Sequence, residues 1–264
     1  MSYDSHCHLQ DERLRPYLPE VMERTARAGV TRLLCCGSAE SDWPDIGDLA
    51  NRHPAIRPAF GLHPWFVTEA SPTWLGSLRT LLETWPTAVV GEIGLDHALD
   101  PATFPAQEEA FLAQIHLAAT LHRPVSVHCR RAYGRLMELL DYNGWPPDGI
   151  VLHSYSGGKE LVTPLVRRGA FFSFSGAVTH ERNLRGRDAA AVVPADRLLI
   201  ETDAPDMPAA LPPGAALLRD ADGRPLSEPA HLVCVAATIA SLRGLTPDTI
   251  ANLTHANAEQ VLGR

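Results

Sequence analysis

The chain has 264 residues, 45% of them hydrophobic and 20% charged, with a formal net charge of -8. That acidic balance excludes a protein that coats long nucleic acid through a basic surface, because such coating needs clustered Lys and Arg to displace counterions. The length suits one domain over residues 1–264, and no apolar run reaches the ~18 residues expected of a membrane span.

The chain opens with Met1-Ser-Tyr-Asp-Ser-His-Cys-His8. Read as an extended strand, it places Asp4, His6 and His8 on one face and Ser5 and Cys7 on the other. Two imidazoles side by side suit one divalent transition ion. Leu18, Val21, Met22 and Thr25 then recur at helical spacing up to Gly29, and Val30 to Cys36 reads as a buried strand.

This β-α order repeats. Helices are expected at Asp42 to Arg52, at Pro72 to Glu83 with Ser71 as N-cap, and at Ala106 to Leu121. Strands are expected at Arg57 to Leu62, Ala88 to Ile93 and Pro124 to His128. The next helix carries Tyr133, Leu136, Met137 and Leu140 as one apolar stripe. Strands follow at Ile150 to His153, Ala170 to Phe174 and Arg197 to Thr202. Asp206 to Pro229 reads as a long loop, and two helices close the chain, the second capped at Thr246-Pro247-Asp248.

Near-continuous apolar strands in β-α order predict a closed TIM-type (β/α)₈ barrel. An open doubly wound sheet is the alternative, and the first βα loop lacks the glycine fingerprint of a dinucleotide site. In such a barrel, polar residues at the C-terminal strand ends face the catalytic mouth. Those ends carry His6 and His8, His63, Glu92, His128, His153, and Glu201 with Asp203. Each alone is ordinary, since a buried histidine often bonds a carbonyl and a carboxylate often caps a helix. Six strands placing such groups at one end argue for a site.

So many donors exceed one tetrahedral zinc and suit two divalent ions about 3.5–4 Å apart sharing a carboxylate. His6, His8 and Asp203 are assigned to one ion and His128 and His153 to the other, with Glu92 as bridge. The His-rich set favours Zn or Mn over Mg. The lone lysine, Lys159, leaves little scope for a carboxylated-lysine bridge. Cys7, Cys35, Cys36, Cys129 and Cys234 form an odd set without C-x-x-C spacing, and the N-terminus lacks a signal pattern, so a reducing cytoplasmic setting is expected.

Asp4-Ser-His-Cys-His8, Gly61-Leu-His-Pro64, Gly91-Glu-Ile-Gly-Leu-Asp96, His128-Cys-Arg130, His153-Ser-Tyr-Ser-Gly157 and Glu201-Thr-Asp-Ala-Pro205 resemble, in order, the signatures of the TatD family of metal-dependent hydrolases. The resemblance runs from residue 4 to about residue 259, Asn257-Ala258 included. It implies a TIM barrel with two divalent ions and deoxyribonuclease activity on phosphodiesters. His6, His8, Glu92, His128, His153 and Asp203 match the family's ligands. Asp203 would also hydrogen-bond the nucleophilic water, and His63 would lie beside the scissile group. Gln10, where many relatives carry an acid, and His97 after Asp96 depart from the pattern and bear on the substrate pocket.

The expected reaction is attack on phosphorus by a hydroxide held between the ions, with Asp203 accepting its proton. Arg130 is expected to hold a non-bridging oxygen, and Glu201 to orient a metal-bound histidine. Trp65, Phe66 and Tyr155 are candidates to stack on an unpaired base. The expected substrates are DNA ends or short oligonucleotides, RNA included, with no membrane and no obligate protein partner. The alternative keeps the metals and cleaves an ester or amide, as an amidohydrolase or aminoacyl-tRNA deacylase does. An inactive nucleic-acid-binding scaffold would show a gap among these groups, and the sequence shows none.

Overall fold

The computed structural model describes residues 1–212 and 217–263. Eight parallel strands follow one another in chain order around one sheet. They are β1 (Ser2–Cys7), β2 (Val30–Cys36), β3 (Ile56–Phe60), β4 (Val89–Asp96), β5 (Val125–Arg130), β6 (Ile150–Leu152), β7 (Ala170–Phe174) and β8 (Leu198–Ile200). The Asp203 N–H donates to His6 O at 3.0 Å and the His8 N–H to Ala204 O at 2.7 Å, drawing the chain after β8 back to β1. The expected barrel is what forms.

Helices α1 (Leu18–Arg27), α2 (Trp43–Arg52), α3 (Trp74–Thr84), α4 (Phe104–Leu121), α5 (Tyr133–Asn143), α6 (Val162–Val166) and α7 (Leu184–Val192) connect the strands. Of the apolar stripe on α5, Tyr133, Leu136 and Leu140 are buried and Met137 is half-buried. Helix α8 (Leu232–Arg243) buries Leu232, Val235, Ala236 and Ile239. Helix α9 (Pro247–Leu262) starts at Thr246, whose Oγ1 accepts the Thr249 N–H at 3.2 Å.

Two apolar layers hold the fold. One lies between strands and helices and includes Leu33, Phe60, Phe111, Leu136 and Ile239. The other fills the barrel with Tyr3, Leu34, Ala59, Val151, Phe171 and Leu199, joined by Ala258, Val261 and Leu262 of α9. Helix α9 therefore plugs the N-terminal end and leaves the C-terminal mouth open to build a site.

Three expectations change. Helix α3 begins at Trp74 and not at Pro72, because the Ser71 N–H and Oγ are taken by the Glu40 carboxylate at 2.7 and 2.8 Å. The pairing of β1 with β2 slips between Asp4 and Cys7, so the simple alternation fails there. The Asp4 carboxylate consequently does not join the His6 and His8 rings but accepts the Thr202 N–H and hydroxyl at 2.9 and 2.5 Å and the His6 backbone N–H at 3.4 Å. Finally, β8 ends at Ile200, before Thr202.

In the segment expected as a loop, residues 213–216 lie outside the described residues; Arg219 and Pro225 form an isolated bridge, and Pro229–His231 is a single 3-10 turn. Among the described residues no single helix is long and apolar enough to cross a membrane.

Candidate metal centre

The central group is Glu92, buried at the middle of β4. Its Oε2 lies 3.2 Å from His6 Nε2 and 3.3 Å from His8 Nε2. Its Oε1 lies 2.7 Å from His153 Nε2, 3.1 Å from His128 Nδ1 and 3.2 Å from His63 Nε2. One carboxylate thus divides the surrounding imidazoles into two sets, one on each oxygen. Asp203 closes the first set, with Oδ1 3.6 Å from His8 Nε2 and 3.9 Å from His6 Nε2.

Strand ends place these rings, and their far nitrogens are fixed by other groups. His8 Nδ1 donates to Cys36 O at 2.8 Å, which leaves the Nε2 lone pair facing the centre. His6 Nδ1 meets Ser126 Oγ at 3.1 Å, and its ring stacks on His153 at 3.8 Å between centroids. His63 is different. Its Nδ1 accepts the Trp65 N–H at 3.2 Å, so in the neutral ring the proton sits on Nε2, which then donates and does not ligate.

His6, His8 and Asp203 bring their ligand atoms within 4.8 Å of one another, as do His6, His153 and Glu201, and His63, Glu92 and His128. His153 is buried, and although carboxylate oxygens of Glu92 and Glu201 lie 2.7 and 3.5 Å from its ring nitrogens, neither contact has hydrogen-bond geometry. A buried imidazole with both nitrogens free of hydrogen bonds is costly unless a cation completes it. Together with this nitrogen and oxygen donor set, it makes the residues fit divalent metal ions.

The electrostatics agree with a cation site. Burial works to raise the Glu92 carboxyl, but His153, His63 and His6 outweigh it and hold it well below the carboxylate range. Asp203 is likewise raised by burial, yet the bond to His8 and the fields of His153 and His6 bring it down to about 2. Burial lowers His63 to about 4 despite the adjacent Glu92, so its ring is neutral. Both carboxylates are ionised at neutral pH.

Around this centre lie Asp96 and Gln107, to which the sequence assigned no role, and Glu201, which it expected to orient a histidine. Asp96 Oδ2 accepts the Trp65 indole N–H at 2.8 Å and faces His128 Nε2 at 3.3 Å. Gln107 brackets Asp96 by accepting its N–H at 2.8 Å and donating to its carbonyl at 3.2 Å. Glu201 is fully buried, accepts the Ser154 N–H at 2.6 Å and lies 3.5 Å from His153 Nδ1. The G-E-I-G pattern did hint at crowding: Gly94 sits at φ +147° opposite His128, where a Cβ would meet the His128 carbonyl oxygen.

Above the centre a cavity of about 940 Å³ is lined by His8, His63, Trp65, Glu92, Arg130 and Asp203, among others. Trp65 is 52% exposed at its lip. Arg130, half-exposed, faces Asp96 only at 3.9 Å. Tyr155 is not there. It is 3% exposed, donates its hydroxyl to Gly158 O at 3.0 Å and packs on Tyr133 and Phe172, so it offers no face to a base.

The family model of TatD related DNase matches residues 3–263. The chain is 36% identical over 252 residues to the 3′-5′ ssDNA/RNA exonuclease TatD of Citrobacter rodentium, covering 92% of this chain and 91% of that one. To the protein of the same name from Salmonella typhimurium it is 33% identical over 260 residues, covering 97% and 96%. Its fold superposes on the crystal structure of YJJV, the TatD homologue from Escherichia coli K12, with a TM-score of 0.90 and 29% identity over 100% and 98% of the two chains. With that match spanning almost every described residue and the clustered strand-end histidines and carboxylates in place, the chain belongs to the TatD family of metal-dependent hydrolases.

Proposed function

We propose that this protein is a 3′-5′ exonuclease on single-stranded DNA or RNA ends, working in the cytoplasm with two divalent ions, Zn, Mn or Mg. The observation that carries the reading is the division of five imidazoles between the two oxygens of Glu92. His6, His8 and Asp203 would hold one ion and His128 and His153 the other, with Glu92 shared. When bound, such ions lower the pKa of water and neutralise charge on a phosphoryl group. The cytoplasmic setting is supported by the five free cysteines.

The chain's own groups supply the rest. Asp203, ionised beside His8, accepts the proton of the attacking water at a carboxylate oxygen. His63 presents Nε2–H toward the scissile phosphate. Arg130 places a guanidinium on a non-bridging oxygen, and Trp65 offers an indole face to the terminal base. Glu201 orients the His153 ring through Nδ1. The relatives' activity on single-stranded substrates supports the phosphodiester over the ester or amide alternative.

The test is to strip the protein with chelator and restore Mg²⁺, Mn²⁺ or Zn²⁺, offering 3′-labelled single-stranded DNA, RNA, duplex DNA and an aminoacyl ester. Asp203→Asn runs alongside. Metal-restored release of nucleotides that the variant loses supports the reading. Ester cleavage with every nucleic acid left intact overturns it.

A further inference from the structure

The strands run in order around the barrel, so the loops at the mouth divide into arcs of distinct charge. The arc that follows β8, β1 and β2 is acidic. After β1 come Asp11 and Glu12, after β2 Asp42 and Asp45, and after β8 Asp206, all lining the cavity. The arginines among them are already engaged. Arg13 donates to Asp11 at 2.7 and 2.9 Å and to Asp206 at 2.9 and 3.0 Å. Arg15 donates to Asp45 at 2.8 Å. Glu12 and Asp42 then remain in excess, beyond a guanidinium that already faces two carboxylates.

The arc that follows β3 and β5 is the reverse. It offers Trp65 and Phe66, and Arg130, whose guanidinium among the described residues has only the distant Asp96. Ser154 and Ser156, after β6, line the cavity without charge. A single strand adds one negative charge with each nucleotide. A cavity whose one weakly paired guanidinium among the described residues is taken by the reacting phosphate, and whose flank is acidic, favours few phosphates beyond it, because unscreened repulsion reaches roughly 8 Å at physiological ionic strength.

We propose that the site takes oligonucleotides of only a few nucleotides, threaded from the β3–β5 side, and that the acidic β8–β1–β2 arc turns away a longer phosphate backbone. The inference rests on the phosphodiesterase reading above. It makes the protein a finisher of fragments: a reaction that cuts longer strands must supply its substrate, and mononucleotides leave it.

The experiment measures kcat/KM of the metal-restored enzyme on single-stranded oligothymidylates from about 3 to about 24 nucleotides, between about 50 and 200 mM salt. Anisotropy of the same oligomers on the chelated protein gives binding without turnover. Expected are a kcat/KM that stops rising beyond about 4 nucleotides and a log–log salt slope near -0.7, the value for about one neutralised phosphate. A kcat/KM that climbs with length, with a slope of about -3 or steeper, overturns the inference while leaving the nuclease reading intact. No cleavage at any length with any ion overturns both.

Removing the repulsion is the complementary arm. Glu12→Gln, Asp42→Asn and Asp206→Asn together are expected to raise kcat/KM on the longest oligomer about tenfold and on the shortest by no more than about twofold. Equal gains at both lengths, or none, overturn the role of the acidic arc.

Discussion

Trp65 and His128 share one oxygen: Asp96 Oδ2 accepts the indole N–H at 2.8 Å and lies 3.3 Å from His128 Nε2. An aromatic ring at the lip of the cavity is thereby fixed to the same buried carboxylate that orients an imidazole of the centre. Base stacking on such a ring is worth about 1–3 kcal/mol. Trp65→Ala is expected to raise KM for a short oligonucleotide by about tenfold or more with kcat within about threefold. Trp65→Phe keeps an aromatic face but no donor for Asp96, and its KM should rise by less. An unchanged KM in the alanine variant would remove Trp65 from the substrate.

On the proposed reading, Asp96 also acts on the metal side. Loss of a carboxylate that orients a ligating histidine typically costs about 10–100-fold in metal affinity. Asp96→Asn is therefore expected to weaken Zn²⁺ or Mn²⁺ binding by that factor, measured by calorimetric titration of the chelated protein. Wild-type affinity in the variant would mean that His128 is held without Asp96.

His63 gives a pH signature. Burial lowers its folded pKa to about 4 from an ordinary 6.5. Between those values the unfolded chain takes up the proton first, so the folded state loses stability as pH falls through that window and keeps it above. In chelated protein the Tm of wild type should drop relative to His63→Asn by an amount equivalent to about 1–2 kcal/mol near pH 5, with no such divergence near pH 7. Parallel melting curves across that range would show that the folded protein carries the proton on His63.

The ions should hold the fold as well as the reaction. Binding only to the folded state stabilises by about 4 kcal/mol at a free ion concentration a thousandfold above Kd. Adding the ion to chelated wild type should raise Tm by several degrees in a chain of this size. Glu92→Gln, which removes the charge that both histidine sets face, should abolish most of that rise. A full metal-induced shift in the variant would count against Glu92 as the shared ligand.

The barrel and the cluster at its mouth were legible because both follow from repetition. Apolar runs in β-α order fix where strands end, and in this fold strand ends converge, so the sequence alone groups His6, His63, Glu92, His128, His153 and Asp203. What escaped depended on contacts between distant segments. Asp4 was misplaced because the β1–β2 register slips beside it, an irregularity with no local sequence mark. Tyr155 was taken for a mouth residue because it follows β6 directly, yet Tyr133, Phe172 and Phe174 enclose its ring. Asp96 stood in plain view at the end of a motif. Its role needed the indole of Trp65, 31 positions away.

Gly94 tests how closely the fold and the centre are joined. It pairs with His128 across β4 and β5, at a φ of +147° that L side chains rarely adopt. A Cβ there would collide with the His128 carbonyl, so Gly94→Ala must either push β5 outward or twist β4. Since His128 and Glu92 ride on those strands, either movement separates His128 Nδ1 from Glu92 Oε1, now 3.1 Å apart. The variant is expected to lose about 2–4 kcal/mol in chemical denaturation and to bind metal at least about tenfold more weakly. Stability lost with metal affinity retained would show that the centre tolerates a displaced β5, and that Glu92 tracks His128 through the change.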